Sequence, residues 1–181
     1  MVDPTIEPIK FNLDIVKMGD TLLIESDGKF FSRGIELKQL SRGFEKKYAR
    51  FTHAEISGGG HRSMRIAPPR ATRIDITKVY AGKRIQIRRY IDDDWERKRK
   101  HVAWVHATLC NSAYDNTGIL GFLTTWFKQH ASRWFCSEGW LFSIRTEYPL
   151  ALGGLPPHKC MPAHAARSPE LETIWEGVLP I

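Results

Sequence analysis

The sequence predicts an α+β fold, an antiparallel sheet packed against helices, and three observations point there. Short runs between residues 51 and 90, "FTHAEIS", "RSMRIAP", "TRIDIT" and "KRIQIRRY", mostly alternate apolar with polar residues between Gly and Pro breaks. That is the pattern of an antiparallel meander with one buried face. After Tyr90 the period changes, because "DDDWERKRKHVAWVHATLC" sets Trp95, Val102, Val105 and Leu109 at helical spacing behind acidic residues that favour a helix start. Finally, 181 residues with a hydrophobic fraction of 42% can bury one good core, so residues 1–181 are expected to form a single domain.

In chain order, "GDTLLIES" at 19–26 reads as a strand entered from a turn at Met18-Gly19-Asp20 and left through Ser26-Asp27-Gly28. A helical or irregular stretch to Arg50 offers Ile35, Leu37 and Leu40 as apolar contacts. The meander and the basic helix follow, and a Tyr114-Asp115-Asn116 turn ends that helix. "ILGFLTTWFKQH" is a shorter apolar segment, and "CSEGWLFSIRTEY" has Trp140, Ile144 and Tyr148 four apart, as in a second helix. The Pro-rich tail from Leu152 is expected to wrap the surface.

Lys and Arg number 27 against 20 Asp and Glu, a net charge of +7 that suits either a solvated basic surface or an anionic partner. The densest basic run, "ERKRKH", has few interleaved aromatics and spells no nucleic-acid motif, so no nucleic-acid partner is expected. Cys110, Cys136 and Cys160 have no CxxC spacing, which indicates neither a zinc cage nor a disulfide framework. No metal or cofactor is expected. The first twenty residues lack the pattern of a signal peptide, and no stretch has the ~18 apolar residues of a membrane span. A cytoplasmic location is the expectation.

Two side chains carry the chemistry. Cys136 stands where an aromatic run gives way to helical spacing, and a helix start can stabilise a thiolate and form an oxyanion hole. Read locally, it fits equally well as a small buried hydrophobe among Trp134, Phe135 and Trp140. His53 differs from the other histidines in lying at the start of a predicted internal strand, a rigid place for a general base.

The order "GDTLLIES", "FTHAEIS", "APP", "AYDNTGILGF", "WFCSEGW", "MPAHAARSPEL" resembles the circularly permuted NlpC superfamily of papain-like cysteine hydrolases, the YiiX-like group. The match spans about residues 18–173. The resemblance implies a permuted papain-like fold, a sheet or partial barrel with Cys136 as nucleophile at a helix N-terminus and His53 as base. Glu138 matches the acid after the Cys in that family, and with Trp134 and Tyr114 it is a candidate substrate contact. The family also places a polar acceptor on the strand after the His strand. If "SGGGH" is the hairpin connection, antiparallel pairing puts Arg65 or Ile66 opposite His53, and neither accepts a hydrogen bond from imidazole N–H. Glu55 shares the face of His53 by strand parity and is the nearest acidic substitute, with Ser63 behind it.

The resulting expectation is a cysteine hydrolase that cleaves a peptide or other amide through an acyl-enzyme. The alternatives are lipid acyl hydrolysis or transfer of the lecithin:retinol acyltransferase type, and a non-catalytic binding module on the same fold. The substrate would be a small molecule, peptide or lipid, and the net charge favours an anionic one.

Overall fold

The computed structural model describes residues 11–114 and 134–181. The turn residues Asp115 and Asn116 and the segment "ILGFLTTWFKQH" lie outside the described residues. The strands are β1 (Met18–Glu25), β2 (Phe51–Gly59), β3 (Arg62–Ala67), β4 (Arg70–Asp75), β5 (Arg84–Tyr90) and β6 (Leu171–Val178). The helices are α1 (Phe30–Ser41), α2 (Lys46–Ala49), α3 (Ile76–Val79), α4 (Trp95–Thr108), α5 (Cys136–Arg145) and α6 (Pro162–Arg167). The α+β class follows directly. The sheet has six strands in the order β4-β3-β2-β1-β5-β6, with every neighbouring pair antiparallel. It is open, with β4 and β6 at its edges.

Three features depart from the sequence reading. First, β2, β3 and β4 form a meander, but β5 crosses the sheet to pair with β1. Second, the centre of the sheet is covered on both faces. On β1, Leu23 packs with Trp140, Leu141 and Ile144 of α5, whereas Leu22 and Ile24 pack with Ile76, Tyr80, Ile85 and Trp175. A two-sided strand reads as a continuous apolar run, and "TLLI" is one. Third, the tail contains β6, which pairs with β5 from Arg84↔Val178 to Tyr90↔Leu171 and buries Leu171 and Trp175. Buried Arg88 holds the approach to β6. Its guanidinium donates to the carbonyls of Ala165 (2.6 Å), Ala166, Ser168 (3.0 Å) and Leu171, satisfying acceptors that the end of α6 leaves open.

Helix α4 behaves as its spacing predicts, and α5 ends at Arg145, short of Tyr148. On α4 and its cap, Trp95, Val102, Val105 and Leu109 are all buried. Its basic run is answered by the acids at its start: Lys98 pairs with Asp92 at 2.5 Å and Arg97 with Asp94 at 2.6 Å. On α1, Ile35 is buried, but Leu37 and Leu40 face outward. In their place Gln39 is fully buried and joins three elements. Its amide donates to Ala49 and Phe51 carbonyls at 2.7 and 3.0 Å and accepts from Ala163 N–H at 2.8 Å, which fixes where β2 begins. Among the described residues no helix is long and apolar enough to cross a membrane.

Candidate active site

His53 is aimed by an irregularity in its strand. Ile24 pairs with His53 while Glu25 pairs with Phe51, so Thr52 bulges between them. Bulges re-aim the side chains beside them. Beyond the bulge, alternation sends Ala54 and Ile56 into the cluster with α5, and His53 and Glu55 go to the other face.

The hairpin register explains what stands behind the imidazole. β2 runs on through Gly59, and only Gly60 and His61 separate it from β3, because Gly59 and Gly60 take positive φ values of 92° and 57°. The tighter turn makes Ile56 face Met64 and Ser57 face Ser63. Continuing that register puts Arg65 across from Glu55, Ile66 across from Ala54 and Ala67 across from His53. The expectation that Arg65 or Ile66 stands opposite His53 is therefore corrected. Ser57, Gly58 and Gly59, which that expectation places in the loop, belong to the strand.

The acceptor comes from the strand of His53 itself. Glu55 is fully buried, and its Oε1 lies 2.8 Å from His53 Nε2. Tyr80 donates its hydroxyl to the same oxygen, and Ser63 Oγ donates to Oε2 at 2.7 Å. Three partners hold one carboxylate. Tyr80, 3% exposed and carried at the cap of α3, was not picked out in the sequence, because its partner lies 25 positions away. Burial, reinforced by the charge of Glu55, pushes the Tyr80 hydroxyl well above its ordinary pKa, so it stays a donor.

Cys136 opens α5, with Phe135 as the cap. Gly139 is the first residue of the helix whose amide bonds back, to Phe135 at 3.1 Å, so the first-turn amides point towards the cysteine end without an intrahelical acceptor. The His53 ring and the amides of Ala54 and Ser137 are the groups that act on the Cys136 sulfur. Because Glu55 holds Nε2, the ring nitrogen left for the thiol is Nδ1. Burial alone pushes the thiol up, but the charge and hydrogen bond of His53 with the two amides outweigh it and hold the thiol below its ordinary value. Burial likewise pushes His53 down, and the Cys136 thiolate with Glu55 overcomes this and raises the imidazole to about 10. Both shifts run in the direction that favours a thiolate–imidazolium pair.

Both residues line a cleft of about 270 Å³ whose walls include Ile24, Phe31, Ile35, Thr52, Arg65, Pro68, Tyr80 and Tyr114, with Lys29 and Lys83 among its charged residues. Of the candidate substrate contacts, Tyr114 lines this cleft. Glu138 and Trp134 do not: Glu138 is buried in the first turn of α5, and the Trp134 ring lies against Phe142, with centroids 4.9 Å apart. The other two cysteines have different surroundings. Cys160 is buried and its thiol is pushed well above its ordinary value, by burial first and then by the charge of Cys136. Cys110 is half-buried. Among the described residues, no group of three or more His, Cys, Asp and Glu side chains is arranged to hold a metal ion.

No known family matches the chain by sequence, and no curated protein matches it. A solved structure does. The metalloprotein YiiX from Escherichia coli O157:H7 superposes with a TM-score of 0.63 at 13% identity, over 89% of this chain and 97% of that one. The fold of this chain is YiiX-like.

Proposed function

We propose that the chain is a thiol-dependent hydrolase of the permuted papain-like type, which cleaves an amide bond of a peptide or related substrate through an acyl-enzyme on Cys136. The observation that carries the reading is the buried line Cys136, His53, Glu55 at the cleft. It has the order of a nucleophile, a base and a group that orients the base. In this reading the Cys136 thiolate attacks the carbonyl carbon, and the displaced π electrons settle on an oxygen stabilised by the first-turn amides of α5. His53 gives its proton to the leaving nitrogen as the C–N bond breaks and a thioester remains. Water then attacks the thioester, His53 takes its proton, and the thiolate leaves. Glu55 holds the imidazole in the tautomer and orientation this needs. The reason for favouring a binding module, a missing acceptor, falls away with Glu55 in place.

A second reading, a lipid acyl hydrolase or transferase, is favoured by the cleft mouth. Phe31 lines it at 49% exposure, and the neighbouring Phe30 is 82% exposed. Apolar rings at an opening suit a long acyl chain. Both readings are tested with p-nitrophenyl esters of rising chain length. Acyl transfer through Cys136 gives a burst of nitrophenolate, a single acyl group on the Cys136 peptide, and loss of both in Cys136→Ala. A rate that climbs steeply from acetate to octanoate favours the lipid reading, and a flat series favours the amide reading. No burst and no acyl group on Cys136 contradicts both.

A further inference from the structure

We infer that the cleft beside Cys136 contains an anion subsite built on Arg65, so that the acyl substrate carries a carboxylate or phosphate group next to the bond that is cleaved. The inference rests on the reading of Cys136 as nucleophile and names the substrate class of that site.

Arg65 lies on β3, half-buried, in the wall of the cleft that holds His53 and Cys136. Its charge is felt at the Tyr80 hydroxyl, so it belongs to the site and not to the outer face of the strand. Yet among the described residues no carboxylate lies within ion-pair distance of it, and its Nε is shut off from water with no hydrogen-bond partner there. The Nε atoms of Arg50, Arg88 and Arg145 are orphaned in the same way, but their terminal nitrogens are answered, Arg50 by Glu176, Arg88 by four carbonyls and Arg145 by the Ala151 carbonyl, and Arg89 pairs with Asp20. The acid nearest in the strand register, Glu55, is already occupied by His53, Tyr80 and Ser63. Across β4 the residue facing Arg65 is Thr72, which carries no charge.

A partly desolvated guanidinium without an acceptor is unfavourable, and a planar anion that meets its fork removes the penalty with paired, charge-assisted hydrogen bonds. Elsewhere in the lining, Lys29 and Lys83 lie 3.7 and 3.8 Å from Asp27 and share the wall with Glu25, so two acids offset the two lysines and the unanswered positive charge is that of Arg65. Carboxylate and phosphate share this chemistry, so the test separates them.

Iodoacetate and iodoacetamide form the same carbon–sulfur bond on Cys136 with loss of iodide and differ in one negative charge. Rates on the Cys136 peptide are followed by mass spectrometry at ~pH 7, where both reagents keep their charge. The ratio of the iodoacetate to the iodoacetamide rate is expected to fall about tenfold in Arg65→Gln and to survive in Arg65→Lys, while the iodoacetamide rate stays within about twofold. A ratio indifferent to Arg65→Gln, with iodoacetamide still fast, overturns the subsite and leaves the nucleophile standing. Slow reaction typical of a free thiol overturns the nucleophile instead. A second readout needs no reactive thiol: acetate or inorganic phosphate is expected to raise the melting temperature of the wild type and not of Arg65→Gln. A shift with acetate assigns a carboxylate substrate and one with phosphate a phosphorylated substrate. No Arg65-dependent shift with either anion overturns the subsite.

Discussion

Glu55→Gln keeps the shape of the side chain and removes the charge that faces His53, which makes it the sharpest single-residue probe of the site. With an opposite charge gone from beside the imidazole, the alkylation profile of Cys136 is expected to move up by about one pH unit, measured as the pH of half-maximal rate. A profile unchanged from wild type would deny Glu55 any part in holding the ion pair. Glu55→Ala goes further, because the buried hydroxyls of Tyr80 and Ser63 lose their acceptor, and chemical denaturation is expected to show a loss of about 2 kcal/mol or more. At this scale much was legible. His53, Cys136 and the parity that brings Glu55 beside His53 can all be read from the chain. Tyr80 could not, since a hydroxyl reaching back 25 positions across a sheet leaves no local pattern.

Among the elements, α5 sets the position of Cys136, and one close approach sets α5. A Cβ built on Gly139 would lie 2.3 Å from Ile66 Cδ1 on β3 and 3.2 Å from Leu109 Cδ1, so the helix meets the sheet where it has no side chain. Gly139→Ala gains up to about 1 kcal/mol of helix propensity but overfills a packed contact, which costs about 1–3 kcal/mol. The single variant is expected to be less stable than wild type. In an Ile66→Val background, where the colliding methyl is absent, the same substitution is expected to stabilise, and a double-mutant cycle by urea denaturation checks the reversal. Additive behaviour would mean that the helix does not rest on Ile66. The hairpin register turns on glycine geometry that local sequence does not display. "SGGGH" looks like five residues of loop, but glycines with positive φ let the strands run almost to a two-residue turn, and two residues of slip decide which side chain faces which. β6 was hidden for a related reason: prolines at 156, 157, 162 and 169 mark the approach as irregular, while "LETIWEGV" pairs only with a strand 81 to 94 positions earlier.

For the whole molecule, His106 is expected to make stability sensitive to acid. It is buried on α4, with Nδ1 2.9 Å from Ser143 Oγ and Nε2 3.2 Å from the Met64 carbonyl, and burial pushes it down from 6.5 to about 4. The unfolded chain takes up this proton near pH 6.5 and the folded chain only near pH 4, so between those values the unfolded state holds more protons and stability falls as pH is lowered. The contribution is complete above pH 6.5 and amounts to about 3 kcal/mol at most. In a His106→Gln variant the slope of stability between pH 4 and 6.5 is expected to flatten, whatever its absolute stability. An unaltered slope would assign the acid limb to other groups. The α+β class and the order of the strands β1 to β5 along the chain were legible, because alternation and helical period are local. The crossing of β5 to the far side of β1, and the two-sided burial that follows from it, were not, since local patterning does not say which strands are neighbours.

The central claim is that Cys136 and His53 form a thiolate–imidazolium pair, and it is tested most directly by the rate of Cys136 alkylation with iodoacetamide across ~pH 4 to 10 in the wild type and in His53→Ala. The expected wild-type rate is already near its plateau well below the ordinary thiol range, and the His53→Ala profile rises only at or above it, as burial without a partner requires. A wild-type profile with a single rise near ~8.5, unmoved by His53→Ala, would contradict it.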